Sequence, residues 1–412
     1  MSPLRLLPAL VLTVILAASA RAQFCPLDAG DTVEKIVVCK KGVTTDVCRK
    51  LAQSVGCSVV RELPSINAIV IELPAFKADG ATAKLKATFK VDLVETNKKV
   101  NWLRATAAMP APAAQFSFGG AADILKRINA LKPAPKAAED PEQPWGIRRV
   151  NAAAAWTTPR GQGQGVSVAI IDTGISRTHP DLAGVVIGGF NALDPAKPDA
   201  WDDDQGHGSH VAGTIAGKRD GKGVVGVAPL AKLYAVKVLD KDGNGGFADV
   251  IAGIEWAASH GIKVANMSLG ADEGSEALKL AVAAATKAGL TIVAAAGNSG
   301  GPVGFPASYP ETIAVAASDI KDGVADFSSR GPEVDFIAPG VDIKSVNKDG
   351  GWMLLSGTSM ATPHVAGLAA LAVARGAATP AAVRAALRKA ATPLPNLGPE
   401  LQGAGMIDAG KL

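Results

Sequence analysis

Two rhythms of apolar and polar positions divide this chain. From residue 144 onward, short unbroken apolar runs rich in β-branched residues recur at 166–171, 185–187, 233–238, 264–269, 291–295, 313–317 and 336–338. Helical patterns separate most of them, as at 247–260, 275–288 and 358–375. Strands apolar on both faces that alternate with helices predict an α/β fold, a parallel β-sheet covered by helices on both faces. In such a sheet the reactive groups belong at the carboxyl ends of the strands.

The earlier part reads differently. Strand patterns at 33–40, 58–63, 66–73 and 91–95 enclose helical patterns at 44–54 and 76–89. The order β-α-β-β-α-β predicts a small α+β, ferredoxin-like unit within residues 23–104. Residues 105–143 hold 12 Ala and 5 Pro in 39 positions, which predicts a linker. One short amphipathic helix, with Ile124, Ile128 and Leu131 on one face, is its only expected element.

Composition narrows the class. With 412 residues, 48% apolar and 19% charged, the chain is no disordered polyelectrolyte. A net charge of +4 over this length points to no nucleic-acid partner. The charge is uneven: residues 1–143 hold 19 basic and 13 acidic residues, a balance of +6, against 23 and 25 in the remainder, a balance of −2. Arg5, an apolar stretch from 6 to 20 and the small residues Ala20 and Ala22 read as a signal peptide over 1–22. The stretch is 15 residues long, short of the roughly 20 that a spanning helix needs, so no membrane association is expected once it is removed. A secreted chain then has its four cysteines, Cys25, Cys39, Cys48 and Cys57, where disulfides persist. Three pairings are open.

Three places join a reactive side chain to tight glycine packing. Asp172 ends an apolar strand before Thr173-Gly174. His207 opens Gly206-His207-Gly208-Ser209-His210-Val211-Ala212-Gly213, a helix start with small residues at helical spacing. Ser359 opens the helix of Gly357-Thr358-Ser359-Met360-Ala361-Thr362-Pro363-His364. Singly, these read as a buried structural carboxylate, a structural histidine and an N-cap. Together they supply a nucleophile, a general base and an acid to orient the base, which is what acyl transfer needs.

These blocks, with Ala295-Ala296-Gly297-Asn298, make residues 144–412 resemble the subtilases, the subtilisin-type serine proteases. The chain order Asp, His, Ser is that of the class. The resemblance implies a secreted serine endopeptidase with broad specificity. Ser359 attacks the peptide carbonyl, His207 carries the proton and Asp172 orients His207. Asn298 donates to the oxyanion, a contact whose loss costs about 2.7–4 kcal/mol, a magnitude established for such a donor in subtilisin. Ser268, Leu269 and Gly270 match one wall of the specificity pocket, and Ala295, Ala296 and Gly297 the other. Gly304 falls at its floor, which implies a preference for large apolar residues before the scissile bond. Calcium is the implied ion, with Asp181 and Asp220 as ligands and Asp335 as a further candidate. The run Asp202-Asp203-Asp204 binds calcium, tunes the enzyme toward cationic substrates or is a solvated loop. Residues 23–104 are similar to a subtilase propeptide, an intramolecular inhibitor and folding assistant removed near 103–105 or near 144. Protein or peptide substrates and a monomer are expected.

Other histidines have plainer readings. His210 and His364 are expected to be structural, His179 part of a turn, and His260 a surface residue at a helix end. A zinc pair of His207 with His210 lacks the H-E-x-x-H pattern. A nucleotide-binding reading of Gly161, Gly163 and Gly165 fails because the glycines precede a strand. A catalytically inactive subtilase-fold binding module would be marked by a missing triad or oxyanion residue, and none is missing.

Overall fold

The computed structural model describes residues 31–104 and 142–412. The expected signal peptide, Cys25 and residues 105–141 of the expected linker, with Ile124, Ile128 and Leu131, lie outside the described residues.

The first unit is a four-stranded antiparallel sheet in the spatial order Ser58–Leu63, Ala68–Pro74, Thr32–Cys39 and Val91–Thr96. Helices Thr45–Ser54 and Ala78–Lys86 complete it. The third strand starts later than the apolar pattern suggests. Pro64–Ile66 forms a 3₁₀ turn that closes on Asn67 at φ 52° and ψ 48°. Asn67 holds this left-handed conformation, one its short polar side chain tolerates, while its amide donates to the Val43 carbonyl at 2.8 Å. The second helix is shorter than 76–89, because Ala75–Lys77 is also a 3₁₀ turn. Phe76 and Phe89 are left exposed. Cys39 and Cys48 form a disulfide, and Cys57 is a buried thiol.

The second unit is built on nine strands. Their order is Ala391–Thr392, Met406–Ile407, Val334–Pro339, Ile313–Ser318, Thr291–Ala295, Val264–Met267, Ser167–Asp172, Lys232–Lys237 and Val186–Asn191. All neighbours run parallel except the first pair. Helices His207–Ala216 and Thr358–Ala374 pack together on one face, and Phe247–Ser259 and Glu276–Lys287 on the other. This is the expected α/β architecture, with a core on each side of the sheet.

The first unit sits on the second pair of helices. Ile36, Val38, Leu63 and Val70 share a core with Val250, Ile251, Ile254 and Leu278. Each fully buried aliphatic side chain contributes about 1.5–3 kcal/mol. Polar contacts fix the orientation: Arg61 donates to Asp249 Oδ1 at 2.9 Å, and the Ser65 N–H to Glu255 Oε1 at 2.8 Å. The unit's last strand, Lys99–Asn101, pairs antiparallel with Asn244–Gly246 of the second unit. Trp102 follows it and is fully buried.

Candidate active site

Asp172 is the last residue of the strand Ser167–Asp172, and His207 the first of the helix His207–Ala216. Both are buried. Gly208 lets the two elements meet, since a Cβ there would lie 2.1 Å from the Gly174 carbonyl oxygen and 3.2 Å from the Asp172 Cβ. His207 Nδ1 donates to Asp172, at 2.9 Å from Oδ1 and 3.0 Å from Oδ2. The Thr173 N–H adds a bond to Asp172 Oδ1 at 2.7 Å. Burial opposes a charge on the His207 ring, but the Asp172 carboxylate and, farther off, Asp203 outweigh it. The imidazole pKa therefore lies above its ordinary value. His207 Nε2 is buried and has no hydrogen-bond partner.

Ser359 lies in the first turn of Thr358–Ala374, beside the helix that carries His207. Its Oγ donates to the Ser268 carbonyl at 3.0 Å, not to His207 Nε2. Ser268 returns the contact, Oγ to the Ser359 carbonyl at 2.8 Å, and itself accepts from Asn266 Nδ2 at 2.9 Å. Asn298 is oriented from the same helix start: its Oδ1 accepts the Thr358 N–H at 2.9 Å and the Thr358 Oγ1 hydroxyl at 3.0 Å. This commits the oxygen and leaves the buried Nδ2 donor without a partner. A buried base and a buried donor, both unsatisfied, are costly unless a reacting group completes them.

The segments expected to wall the specificity pocket are joined by backbone hydrogen bonds. The Gly304 N–H donates to the Ala296 carbonyl at 2.9 Å, and Ala271 and Phe305 exchange two bonds of 2.9 Å. Ser268–Gly270, Ala295–Gly297 and Gly304 thus belong to one hydrogen-bonded frame. A Cβ at Gly304 would sit 3.0 Å from the Ala271 carbonyl oxygen.

The acidic run is neither a calcium cage nor a merely solvated loop, because all three side chains have protein partners. Asp202 pairs with Arg177 at 2.7 Å, and Asp204 with the buried Lys237 at 2.6 Å. Asp203 Oδ1 accepts from Thr173 Oγ1 and from the N–H groups of Gln205 and Gly206. Its Oδ2 accepts from the Ser209 N–H and Oγ. Asp203 therefore caps the His207 helix and ties it to the residue after Asp172. Sequence reasoning missed this residue and Thr358; an acidic residue four positions before a helix start was the available signal for the former.

The calcium expectations meet donors already committed. Asp181 Oδ2 accepts the Val224 N–H at 2.9 Å and Trp352 Nε1–H at 2.7 Å. Asp220 Oδ1 accepts the Lys222 N–H at 3.2 Å, while Glu142 Oε1 takes the N–H groups of Asp220 and Gly221. Asp335 is clamped by Arg384 at 2.7 Å and Arg388 at 3.1 Å, so guanidinium groups stand where a cation was expected. Among the described residues, no group of three or more His, Cys, Asp or Glu side chains could hold a metal ion. Calcium prefers six to eight oxygen ligands, so backbone carbonyls would have to supply most of them beside Asp181 or Asp220.

The remaining histidines have structural partners. His210 Nε2 bonds the Ile343 carbonyl at 3.0 Å, and His364 Nδ1 the Met360 carbonyl at 2.9 Å. Burial lowers their pKa values to about 3 and about 4, so both are neutral. His179 Nε2 bonds the Gly351 carbonyl at 2.8 Å and its Nδ1 accepts the Asp181 N–H within its own turn at 3.1 Å, and His260 stacks on Trp256.

Among the described residues, no helix is long and apolar enough to cross a membrane. Residues 163–405 match the family described as the subtilase family. Subtilisin Savinase of Lederbergia lenta is 46% identical over 269 residues, which is 65% of this chain and 97% of that protein. Subtilisin E of Bacillus subtilis (strain 168) is 48% identical over 259 residues, 61% of this chain and 67% of that protein. M-protease of Shouchella clausii (strain KSM-K16) is 46% identical over 269 residues, 65% of this chain and 68% of that protein.

Proposed function

The chain belongs to the subtilase family and is a serine endopeptidase of the subtilisin type, and on that premise we propose that Asp172, His207, Ser359 and Asn298 are its catalytic residues. The observation that carries this reading is the buried Asp172–His207 pair, with His207 Nε2 unsatisfied. In the reaction, Ser359 Oγ leaves the Ser268 carbonyl and gives its proton to Nε2 as it attacks the substrate carbonyl carbon. Asp172 stabilises the imidazolium so formed. The carbonyl oxygen becomes an oxyanion, and Asn298 Nδ2 donates to it. His207 then protonates the departing amine, and water releases the acyl group from Ser359 by the same proton path. Ser268–Gly270, Ala295–Gly297 and Gly304 form an uncharged pocket for a large apolar residue before the scissile bond.

The chain is a secreted precursor in this reading: 1–22 the signal peptide, 23–104 the propeptide, 105–143 a linker and 144–412 the catalytic domain, working as a monomer on protein or peptide substrates. Inhibition by the first unit is supported by the strand Lys99–Asn101 added to Asn244–Gly246 and by Trp102, whose N–H donates to the Gly243 carbonyl and whose carbonyl accepts the Gly270 N–H, both at 3.0 Å. An added strand of this kind is how an extended peptide docks to a sheet edge. Calcium is typical of the family, but with the carboxylates committed as above no step is assigned to it. Intact mass and N-terminal sequencing of the wild type beside Ser359→Ala test the proposal. Processing is expected in the wild type alone, and equal processing of both would overturn it.

A further inference from the structure

The tail of the first unit carries two lysines to the far end of the cleft. The two residues before its docked strand and at its start, Lys98 and Lys99, are straddled by carboxylates of the catalytic part. Lys98 Nζ pairs with Glu273, and Lys99 Nζ lies 3.3 Å from Asp240 Oδ2. These carboxylates stand on opposite rims, one beyond the wall segment Ser268–Gly270 and the other in the turn before Asn244–Gly246. Asp240 is held in place: its Oδ1 accepts the N–H groups of Asp242 at 3.0 Å and Asn244 at 2.9 Å. Nearby cations are already engaged, Lys241 with Asp242 and Lys279 with Glu276. A cleft of about 550 Å³ runs from Lys98 past Asp272 and Glu273 to Asn298. The rim at Glu273 therefore opens onto the reacting centre, while Asp240 borders a separate hollow with Lys98 and Lys99.

We propose that Asp240 and Glu273 select substrates carrying basic residues three and four positions before a buried apolar anchor, the place Trp102 takes here. This rests on the peptidase reading above and adds a substrate class to it. The self-processed enzyme would be given quenched fluorescent peptides with the sequence of residues 97–108. One keeps Lys98 and Lys99, one has both changed to Ala and one has both changed to Glu. Exposed ion pairs support a preference of about threefold to tenfold in kcat/KM for the lysine peptide over the alanine one at low salt, carried by KM. The glutamate peptide should be slower still. The spread should shrink at about 1 M salt, where screening acts within ~3 Å. The double variant Asp240→Asn, Glu273→Gln, in which Asn keeps an oxygen for the turn, should bring the three rates together. Equal rates for the three peptides with the wild type, or an unchanged spread in the double variant, would overturn the proposal. If the wild type cleaves none of them, or other peptides either, the peptidase reading fails and this one with it.

Discussion

Asp203 gives the sharpest test, because its substitution should change two observables for separate reasons. Asp203→Asn keeps the size and one oxygen of the side chain. If that oxygen stays with Thr173 Oγ1 and the Gln205 and Gly206 N–H groups, the new amide faces the Ser209 N–H, a donor against a donor. Ser209 Oγ can turn to accept, but it already accepts the Ser176 N–H at 2.9 Å. Losing a cap costs about 0.5–2 kcal/mol, and losing a negative charge at a helix N-terminus about 0.3–1 kcal/mol. A total near 2 kcal/mol corresponds to a Tm lower by about 4–8 °C for a domain of this size. Calorimetry of Ser359→Ala, with and without Asp203→Asn, measures that without self-digestion. The second observable is the pH profile. Asp203 is among the charges that favour the His207 imidazolium. Without it the imidazole pKa falls, and the acid limb of kcat/KM moves to lower pH. A lower Tm with an unmoved acid limb would show that Asp203 is only a cap and would refute the electrostatic part of the reasoning.

Other expectations are read more simply. Asn298→Ala should fold and lose ~10²–10³-fold in kcat, measured with a chromogenic peptide. In the wild type, the acid limb of kcat/KM should lie above the ordinary histidine value of about 6.5, because the base must be neutral and its folded pKa is raised. Trp102→Ala removes a buried indole that donates to the Gly245 carbonyl at 2.9 Å and packs edge-on against Phe247. At roughly 2–4 kcal/mol for such an anchor, activity should appear sooner after refolding of the full chain, seen as a shorter lag. EDTA should leave Tm unchanged, since protein donors already hold the carboxylates of Asp181, Asp220 and Asp335; a drop of several degrees would reverse that account.

What was legible in the chain depended on how far away a residue's partners lie in sequence. The parallel sheet was legible because a strand buried on both faces is apolar along its whole length, whatever its neighbours. Asp172, His207 and Ser359 stood out because each sits at an element boundary marked by glycine and small residues. Gly208 shows why: the approach it permits to Gly174 is written in the loss of one Cβ. Carboxylates carry no such local mark. Asp203 looked like its neighbours Asp202 and Asp204, yet one caps a helix and the others pair with Arg177 and Lys237. Asp335 became part of an ion pair through Arg384 and Arg388, which lie on a helix about fifty residues later. The same limit applies to Trp102. Nothing near it in sequence marks it as an anchor, because its partners Gly243, Gly245, Phe247 and Gly270 all lie beyond the linker. A charge or an aromatic ring is assigned its task by what the fold brings to it, and that is why the acidic rims at Asp240 and Glu273 became readable only once Lys98 and Lys99 were seen between them.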